Sequence, residues 1–325
     1  MTAPPVLEVE NLNTSFLLSA GEVKALRDVS FKVHRGEILG LVGESGSGKS
    51  MTGFSINGLL SPPGKVMSGA IRLHGEDIAG RSTSAMRALR GQTIAMVFQD
   101  PMMTLNPVLK IGLQMADALR AHLRISDREC RARSIAALQE VGIPSPEDRL
   151  NAFPHQLSGG MRQRVAVAIA LLHEPDLVIM DEPTTALDVT IQGQILALVQ
   201  RLCRERGTAL IWITHDLAVV AGIADRILVM YAGRIVEDGT VDEVLDTPAH
   251  PYTRGLIDSV PSRGQRGKRL QQIPGRMPAL TDLPEGCAFR PRCTLATQAC
   301  AAPQEMRTLA GRHVRCCRPL AEVSA

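Results

Sequence analysis

Apolar and polar positions over the first forty residues alternate at the period of a β-strand. Residues 6–12, 25–33 and 37–42 are β-rich runs, separated by short turns at Ser19-Ala20-Gly21 and Arg35-Gly36. The pattern predicts a small antiparallel layer leading into a continuously apolar strand. Ile71-Arg72-Leu73, His74-Gly75 and Glu76-Asp77-Ile78 together predict a further hairpin. Residues 93–99 form a short apolar run of the buried-strand type, ending in the polar Gln99 and Asp100. From Val108 to about Ala152 the period becomes helical. Apolar side chains recur at helical spacing through Leu123, and Ser126-Asp127-Arg128-Glu129 reads as a capping box opening a helix that ends at Gly142. Beyond this inserted block, apolar runs at 177–180, 209–213 and 226–230 alternate with helical patterns at 161–172 and 190–206. Such alternation with uniformly apolar strands indicates a parallel sheet covered on both faces. After about Leu245, residues 247–253 read as a proline-broken link. Arg263, Arg266, Lys268, Arg269 and Arg276 then make a basic stretch, read either as a solvated linker or as a patch facing a membrane or a partner.

Composition narrows the function classes. With 325 residues the chain has room for one large domain plus an appendage, or for two domains. A net charge of +3 and 3% aromatic residues argue against a dedicated nucleic-acid binder. No apolar run approaches the roughly 18 to 20 residues of a membrane span. The first ten residues lack the basic-then-apolar order of a signal peptide. The expectation is a cytoplasmic protein that works at a membrane, if at all, as a peripheral subunit.

The chemistry concentrates at Gly43-Glu44-Ser45-Gly46-Ser47-Gly48-Lys49-Ser50, which lies between the apolar run 37–42 and a helical start. That is the strand, glycine-rich loop and helix context of a phosphate-binding loop. Its N–H groups and helix N-terminus cradle phosphate, Lys49 reaches the β- and γ-phosphates, and the Ser50 hydroxyl binds Mg²⁺. The strand at 177–180 ends in Asp181-Glu182, two carboxylates at the end of a strand where sites form in parallel sheets. Asp181 suits the Mg²⁺ shell, and Glu182 suits orienting and deprotonating a water. Ser158-Gly159-Gly160 opens a second glycine-rich helix start, which suits an anion but also reads as an ordinary cap by Ser158. One nucleotide and two such starts in one chain suggest that the second serves a neighbour.

The order of phosphate loop, Gln99, Leu157-Ser158-Gly159-Gly160, Asp181-Glu182, Ala186-Leu187-Asp188 and His215 resembles the ATP-binding cassette of ABC transporters. The resemblance covers roughly residues 6–245. It implies an α/β P-loop NTPase fold: a parallel core sheet, an antiparallel β layer and a helical subdomain at about 86–157. It also implies a head-to-tail dimer holding ATP and Mg²⁺, with the phosphate loop of one subunit facing the Ser158, Gly159 and Gly160 signature of the other. Gln99 then contacts Mg²⁺ and water and senses the membrane subunit, Asp188 crosses the dimer interface, His215 holds the γ-phosphate, and Phe16 stacks on adenine. Residues 17–23 look like an insertion beside Phe16, whose other reading is a core aromatic.

A narrower resemblance, to the ATPase subunits of oligopeptide and dipeptide permeases, rests on Phe98-Gln99-Asp100-Pro101-Met102-Met103-Thr104-Leu105-Asn106-Pro107, Tyr231-Ala232-Gly233-Arg234, His250-Pro251-Tyr252-Thr253 and a cysteine-bearing tail from Gly286-Cys287. It makes residues 246–325 a permease-type extension. It implies an importer engine at the cytoplasmic face of the inner membrane, with two membrane permeases, a second cassette subunit of the same or a different kind, and an external binding protein. Dipeptides or oligopeptides are the implied cargo, with nickel, glutathione or another small solute as the alternative. A soluble ABC ATPase of DNA repair or translation would need tandem cassettes, coiled-coil arms or basic surfaces. A non-hydrolysing module would lack Glu182 or His215.

Five of the seven cysteines fall between Cys287 and Cys317, with five, six and fifteen residues separating Cys287, Cys293, Cys300 and Cys316. That spacing contains no C-x₂-C zinc knuckle, and metal, buried thiols and disulfides formed on oxidation are all open readings. The permease resemblance implies a four-iron, four-sulfur cluster on Cys287, Cys293, Cys300 and Cys316, with Zn²⁺ as alternative and Cys317 competing for the fourth position.

Overall fold

The computed structural model describes residues 4–100, 104–185, 187–260 and 272–323. Pro101, Met102 and Met103, Ala186, and the basic residues Arg263, Arg266, Lys268 and Arg269 lie outside the described residues. In chain order the main elements are β1 (Leu7–Leu18), β2 (Gly21–Val33), β3 (Ile38–Val42), α1 (Lys49–Ile56), β4 (Gly64–Leu73), β5 (Glu76–Asp77), α2 (Thr83–Leu89), β6 (Ile94–Val97), α3 (Ile111–Arg120), α4 (Asp127–Glu140) and α5 (Gly159–Leu171). They continue with β7 (Leu177–Asp181), α6 (Val189–Arg206), β8 (Ala209–Thr214), α7 (Leu217–Ile223), β9 (Arg226–Tyr231), β10 (Arg234–Thr240), α8 (Val241–Asp246), α9 (Pro251–Asp258), β11 (Arg307–Leu309) and β12 (Arg312–Val314). Two compact units result. One takes the N-terminal stretch through Val6, Val33–Glu37 and Gly80–Trp212; the other takes Leu7–Lys32, Ile38–Ala79 and the chain from Ile213 onward.

In the first unit β6 and β7 pair in parallel, from Ile94 opposite Leu177 to Val97 opposite Met180. Every residue of β7 and β8 is buried, so these strands show no polar alternation. The predicted helical block is α3 packed on α4 and α4 on α5. Ser126 caps α4 by accepting from Glu129 N at 3.2 Å, while the Glu129 carboxylate turns to Arg133 at 2.7 Å. Gly142 follows α4 at φ +71°, a conformation without penalty for glycine. Among the described residues of this unit, Val108, Leu113 and, at 83% exposure, Val189 are large apolar side chains that stand in solvent.

The second unit contains the expected antiparallel layer, in the order β2-β1-β4-β5. Residues 17–23, which look like an insertion in the sequence, complete a plain hairpin: β1 runs to Leu18 and β2 starts at Gly21. β3 pairs in parallel with β9, from Leu39 opposite Arg226 to Val42 opposite Val229. β10 is antiparallel to β9, and the C-terminal hairpin β11-β12 adds to its free side, with Glu237 opposite Val314. The C-terminal hairpin therefore builds onto the same sheet as β3.

Residues 247–253 are a helix start. His250 caps α9 by accepting from Tyr252 N at 3.0 Å through Nδ1, and Pro251 takes the first helical position, where its missing N–H costs nothing. The fully buried Glu237 receives Ala249 N at 2.7 Å and His250 N at 2.8 Å. Both tyrosines of the chain join Phe289 in one aromatic cluster. Tyr231 and Tyr252 have ring centroids 4.6 Å apart, and each lies 5.3 Å from Phe289. Among the described residues no helix is long and apolar enough to cross a membrane.

Candidate functional site

The phosphate loop stands where β3, buried along its whole length, runs into α1. Two glycines here have no substitute. Gly43 has φ +155°, and a Cβ on it would lie 2.2 Å from the Met230 carbonyl oxygen; Gly48 has φ +108°. Lys49 is 4% exposed, and its Nζ donates to the carbonyls of Gly43 at 2.8 Å and Glu44 at 3.0 Å. The ammonium is thus folded over the loop's own mouth. Ser47 is buried, Ser50 half-buried, and Ser45 and Gly46 exposed. Glu44 is bound from outside the loop: its N–H donates to the Tyr252 hydroxyl at 2.8 Å, and its carboxylate receives the Arg292 guanidinium at 2.6 and 2.9 Å. The sequence reading missed both partners.

In the first unit the end of β7 presents the buried Asp181 and then Glu182, whose φ of +45° is uncommon for a residue with a side chain. Glu182 Oε2 accepts from Gln99 Nε2 at 3.2 Å and from Thr185 Oγ1 at 3.1 Å. Gln99 and Glu182, 83 positions apart, are therefore brought together, and Thr185 joins them. Ser158 accepts from Met161 N at 3.3 Å and so caps α5, leaving Ser158 and Gly159 exposed. A Cβ on Gly160 would sit 2.6 Å from Ile191 Cγ2, so its bareness lets the start of α5 approach the start of α6. Asp188, also exposed, caps α6 by accepting from Ile191 N at 2.9 Å.

His215 lies exposed in the second unit, directly after β8, beside Asp216, which caps α7 through Ala218 N at 2.8 Å. Phe16, half-buried, lies across the β1–β4 pair over Gly64, where an added Cβ would meet its ring at 2.9 Å. Its surroundings are those of a sheet-face aromatic at the hairpin end.

The cysteines form a second cluster. Cys287, Cys293, Cys300 and Cys316 line one pocket with His250 and Phe289. Burial pushes the Cys287 and Cys293 thiols up, and that of Cys316 up to about 12. The doublet splits: Cys316 faces the pocket, while Cys317 Sγ lies 3.5 Å from Cys300 Sγ. Among the described residues no three His, Cys, Asp or Glu side chains are grouped closely enough to hold a metal ion. The four thiols that the sequence assigns to a metal thus share a pocket without converging. His313, near the doublet in sequence, is exposed on β12 with Nδ1 3.2 Å from the Thr308 hydroxyl.

Two family models match the chain: ABC transporter over residues 26–185, and oligopeptide/dipeptide transporter, C-terminal region, over residues 236–300. A putative peptide import ATP-binding protein of Brucella abortus (strain 2308) is 48% identical over all of both chains. A second from Brucella suis biovar 1 is 47% identical over 97% of this chain and 95% of its own. Among solved structures, the dimeric bacterial ABC transporter cassette MJ0796 has a TM-score of 0.65 at 27% identity, covering 72% of this chain and 98% of its own. The cbiO1 protein from Clostridium perfringens, part of the ABC transporter complex cbiONQ, has the same score at 31% identity, covering 75% and 92%. The chain belongs to the ABC transporter ATP-binding proteins, in the branch with the oligopeptide/dipeptide transporter C-terminal region. It is an ATPase, and ATP and Mg²⁺ are what it works on and with.

Proposed function

We propose that this chain is one of the ATP-hydrolysing subunits that power an importer of dipeptides or oligopeptides. The observation that carries the reading is the full-length likeness to peptide import ATP-binding proteins in a chain that presents a phosphate loop and a capped, solvent-facing second helix start. The loop at residues 43–50 cradles the phosphates with its backbone, the Glu44 carboxylate taking no part, and Lys49 exchanges its carbonyl partners for the β- and γ-phosphates. Ser50, Gln99 and Asp181 would hold Mg²⁺, which would offset the charge of the phosphates. Glu182, steadied by Gln99 and Thr185, takes a proton from the attacking water as ATP gives ADP and phosphate. His215 holds the γ-phosphate, and Phe16 meets the adenine. Ser158, Gly159 and Gly160 face a partner's nucleotide, with Asp188 and the exposed Val189 at that interface.

In this reading residues 1–245 are the cassette, 86–157 its helical part, and 246–325 the permease-type extension. The exposed Val108 and Leu113 on the helical part suit apolar contact with a permease. The assembly has two permeases, a second ATP-binding subunit and an external binding protein, with this chain on the cytoplasmic face of the inner membrane. The test is ATPase activity of the complex reconstituted in vesicles with the binding protein: di- and oligopeptides raise the rate. Stimulation by nickel or glutathione and not by peptides overturns the cargo.

On this reading Cys287, Cys293, Cys300 and Cys316 would hold an iron–sulfur cluster in the tail, with Zn²⁺ as runner-up. The shared pocket supports that donor set, and the Cys317 contact to Cys300 keeps Cys317 as the rival fourth ligand. When bound, such a group would supply folding energy to a small appendage. Iron, sulfide and zinc analysis with a visible absorption spectrum after anaerobic purification tests it; colourless, metal-free protein with an ordered tail sinks both forms.

A further inference from the structure

The phosphate loop is held from two sides, and the outer side belongs to the C-terminal extension. Arg292 is 248 positions from Glu44, yet its guanidinium binds that carboxylate bidentately at 2.6 and 2.9 Å. It is 4% exposed and fixed by three further groups: the Pro274 carbonyl at 2.8 Å, the Tyr231 hydroxyl at 3.4 Å and the Phe289 ring, 5.9 Å from its centroid. These partners hold the fork in one orientation, and a fork so held loses little freedom on pairing bidentately with Glu44. The Tyr252 hydroxyl takes the Glu44 N–H at 2.8 Å, so one loop residue is tied at backbone and side chain together. Met277, also of the extension, reaches the loop; a Cβ on Gly46 would lie 3.1 Å from its methyl group.

The inner tie is of a different kind. Lys49 holds the carbonyls of Gly43 and Glu44, a tie that loosens as its ammonium turns to a phosphate. A loop with Gly43, Gly46 and Gly48 all at positive φ then has wide conformational freedom to lose. The outer tie uses the Glu44 carboxylate, which is no part of a phosphate cradle, so it persists.

We propose that Arg292 is a positioning residue for the ATPase: through Glu44 it keeps the phosphate loop in its receiving shape while Lys49 changes partners. The proposal rests on the reading of residues 43–50 as the nucleotide loop. It also places nucleotide affinity under the control of the extension's fold. Arg292 closes a single turn whose N–H bonds to Phe289 O at 2.9 Å, and the next residue is Cys293.

The experiment is equilibrium binding of a fluorescent ATP analogue to the full chain, with kcat and KM for ATP measured in the assembled transporter. Arg292→Ala and Glu44→Ala are each expected to weaken binding on the order of tenfold and to raise KM alike, with kcat within about twofold of the parent. The double variant is expected to be no weaker than either single one, because both remove the same tie. Lys49→Ala is the reference for the loop itself. If it binds like the parent, the loop reading fails. If it loses binding while Arg292→Ala keeps the parent's affinity, or if the Arg292 and Glu44 effects add, the positioning role is wrong. Should Arg292→Ala not fold, Glu44→Gln keeps the shape and weakens the fork. It is expected to weaken binding without lowering the melting temperature, and parental affinity in it counts against the proposal.

Discussion

The chain contains two glycine-rich helix starts, and they are built in opposite ways. The first, Gly48 into α1, is enclosed: Lys49 is nearly buried, the loop is tied from inside by that lysine and from outside by Tyr252 and Arg292. The second, Ser158 into α5, is open, with Ser158 and Gly159 in solvent beside the exposed Asp188 and Val189. An anion site that serves its own chain can be finished within that chain. One that serves a neighbour must leave its N–H groups facing outward until the neighbour arrives. The contrast is in keeping with the proposal that the first start serves this chain's ATP and the second a partner's.

The strongest way to sharpen the contrast is Glu182→Gln. It leaves both starts intact and removes the base, so hydrolysis is expected to fall ~10²- to 10⁴-fold while ATP binding persists. The ATP-bound pairing with the partner cassette then accumulates, measurable by size-exclusion chromatography. A rate within a few-fold of the parent removes Glu182 from the role.

The same small substitution at the two starts should break them unequally. Gly43→Ala drives a methyl to 2.2 Å of the Met230 carbonyl, a backbone atom that cannot step aside, and a loss of roughly 3 kcal/mol or more is expected, with ATP binding lost. Gly160→Ala meets the Ile191 side chain at 2.6 Å and should cost about 1 to 3 kcal/mol. Adding Ile191→Ala should recover part of the Gly160 loss and none of the Gly43 loss, read by chemical denaturation. Equal rescue, or none, contradicts the distinction.

The enclosed start should also be sensitive to acid through α9, which carries Tyr252. Burial pushes the His250 imidazole down to about 3, so it folds neutral. The unfolded chain therefore binds this proton more readily. The stability His250 contributes is complete above about pH 6.5 and declines as pH falls towards 3, by about 2 kcal/mol at pH 5. The neighbouring Glu237 carboxyl, raised first by burial, works in the opposite direction as it takes its proton early. His250→Asn keeps an acceptor for Tyr252 N and cannot titrate, so its stability curve between pH 7 and 5 should be flatter. A parallel curve would remove His250 as the cause.

Legibility in the sequence followed the range of the interaction. The strand before Gly43, the buried run at 177–180, the helical block and the caps at Ser126 and Ser158 are coded by neighbours within a few positions, and all were readable. Family order named Gln99 and Glu182 for one ATP site but announced no bond between them. Arg292 on Glu44 was not readable, since nothing near either residue announces a partner 248 positions away. The prolines at 248 and 251 read as a break because the stop signal is local. The Glu237 carboxylate that collects Ala249 and His250 N–H groups, turning the break into a helix start, is not. Within the cysteine doublet, spacing could not tell which thiol turns towards the pocket.

The central claim is that the enclosed loop serves this chain and the open start serves its partner. It is tested most directly in the assembled transporter with Ser158→Arg and Gly160→Asp on this subunit alone, each loop's nucleotide being followed by photolabelling and single-turnover hydrolysis. A bulky cation and an acid at the open start oppose the arriving nucleotide sterically and electrostatically. The account predicts normal ATP labelling of this chain's own loop and loss of hydrolysis at the partner's; loss at this chain's own loop, with the partner's intact, would contradict it.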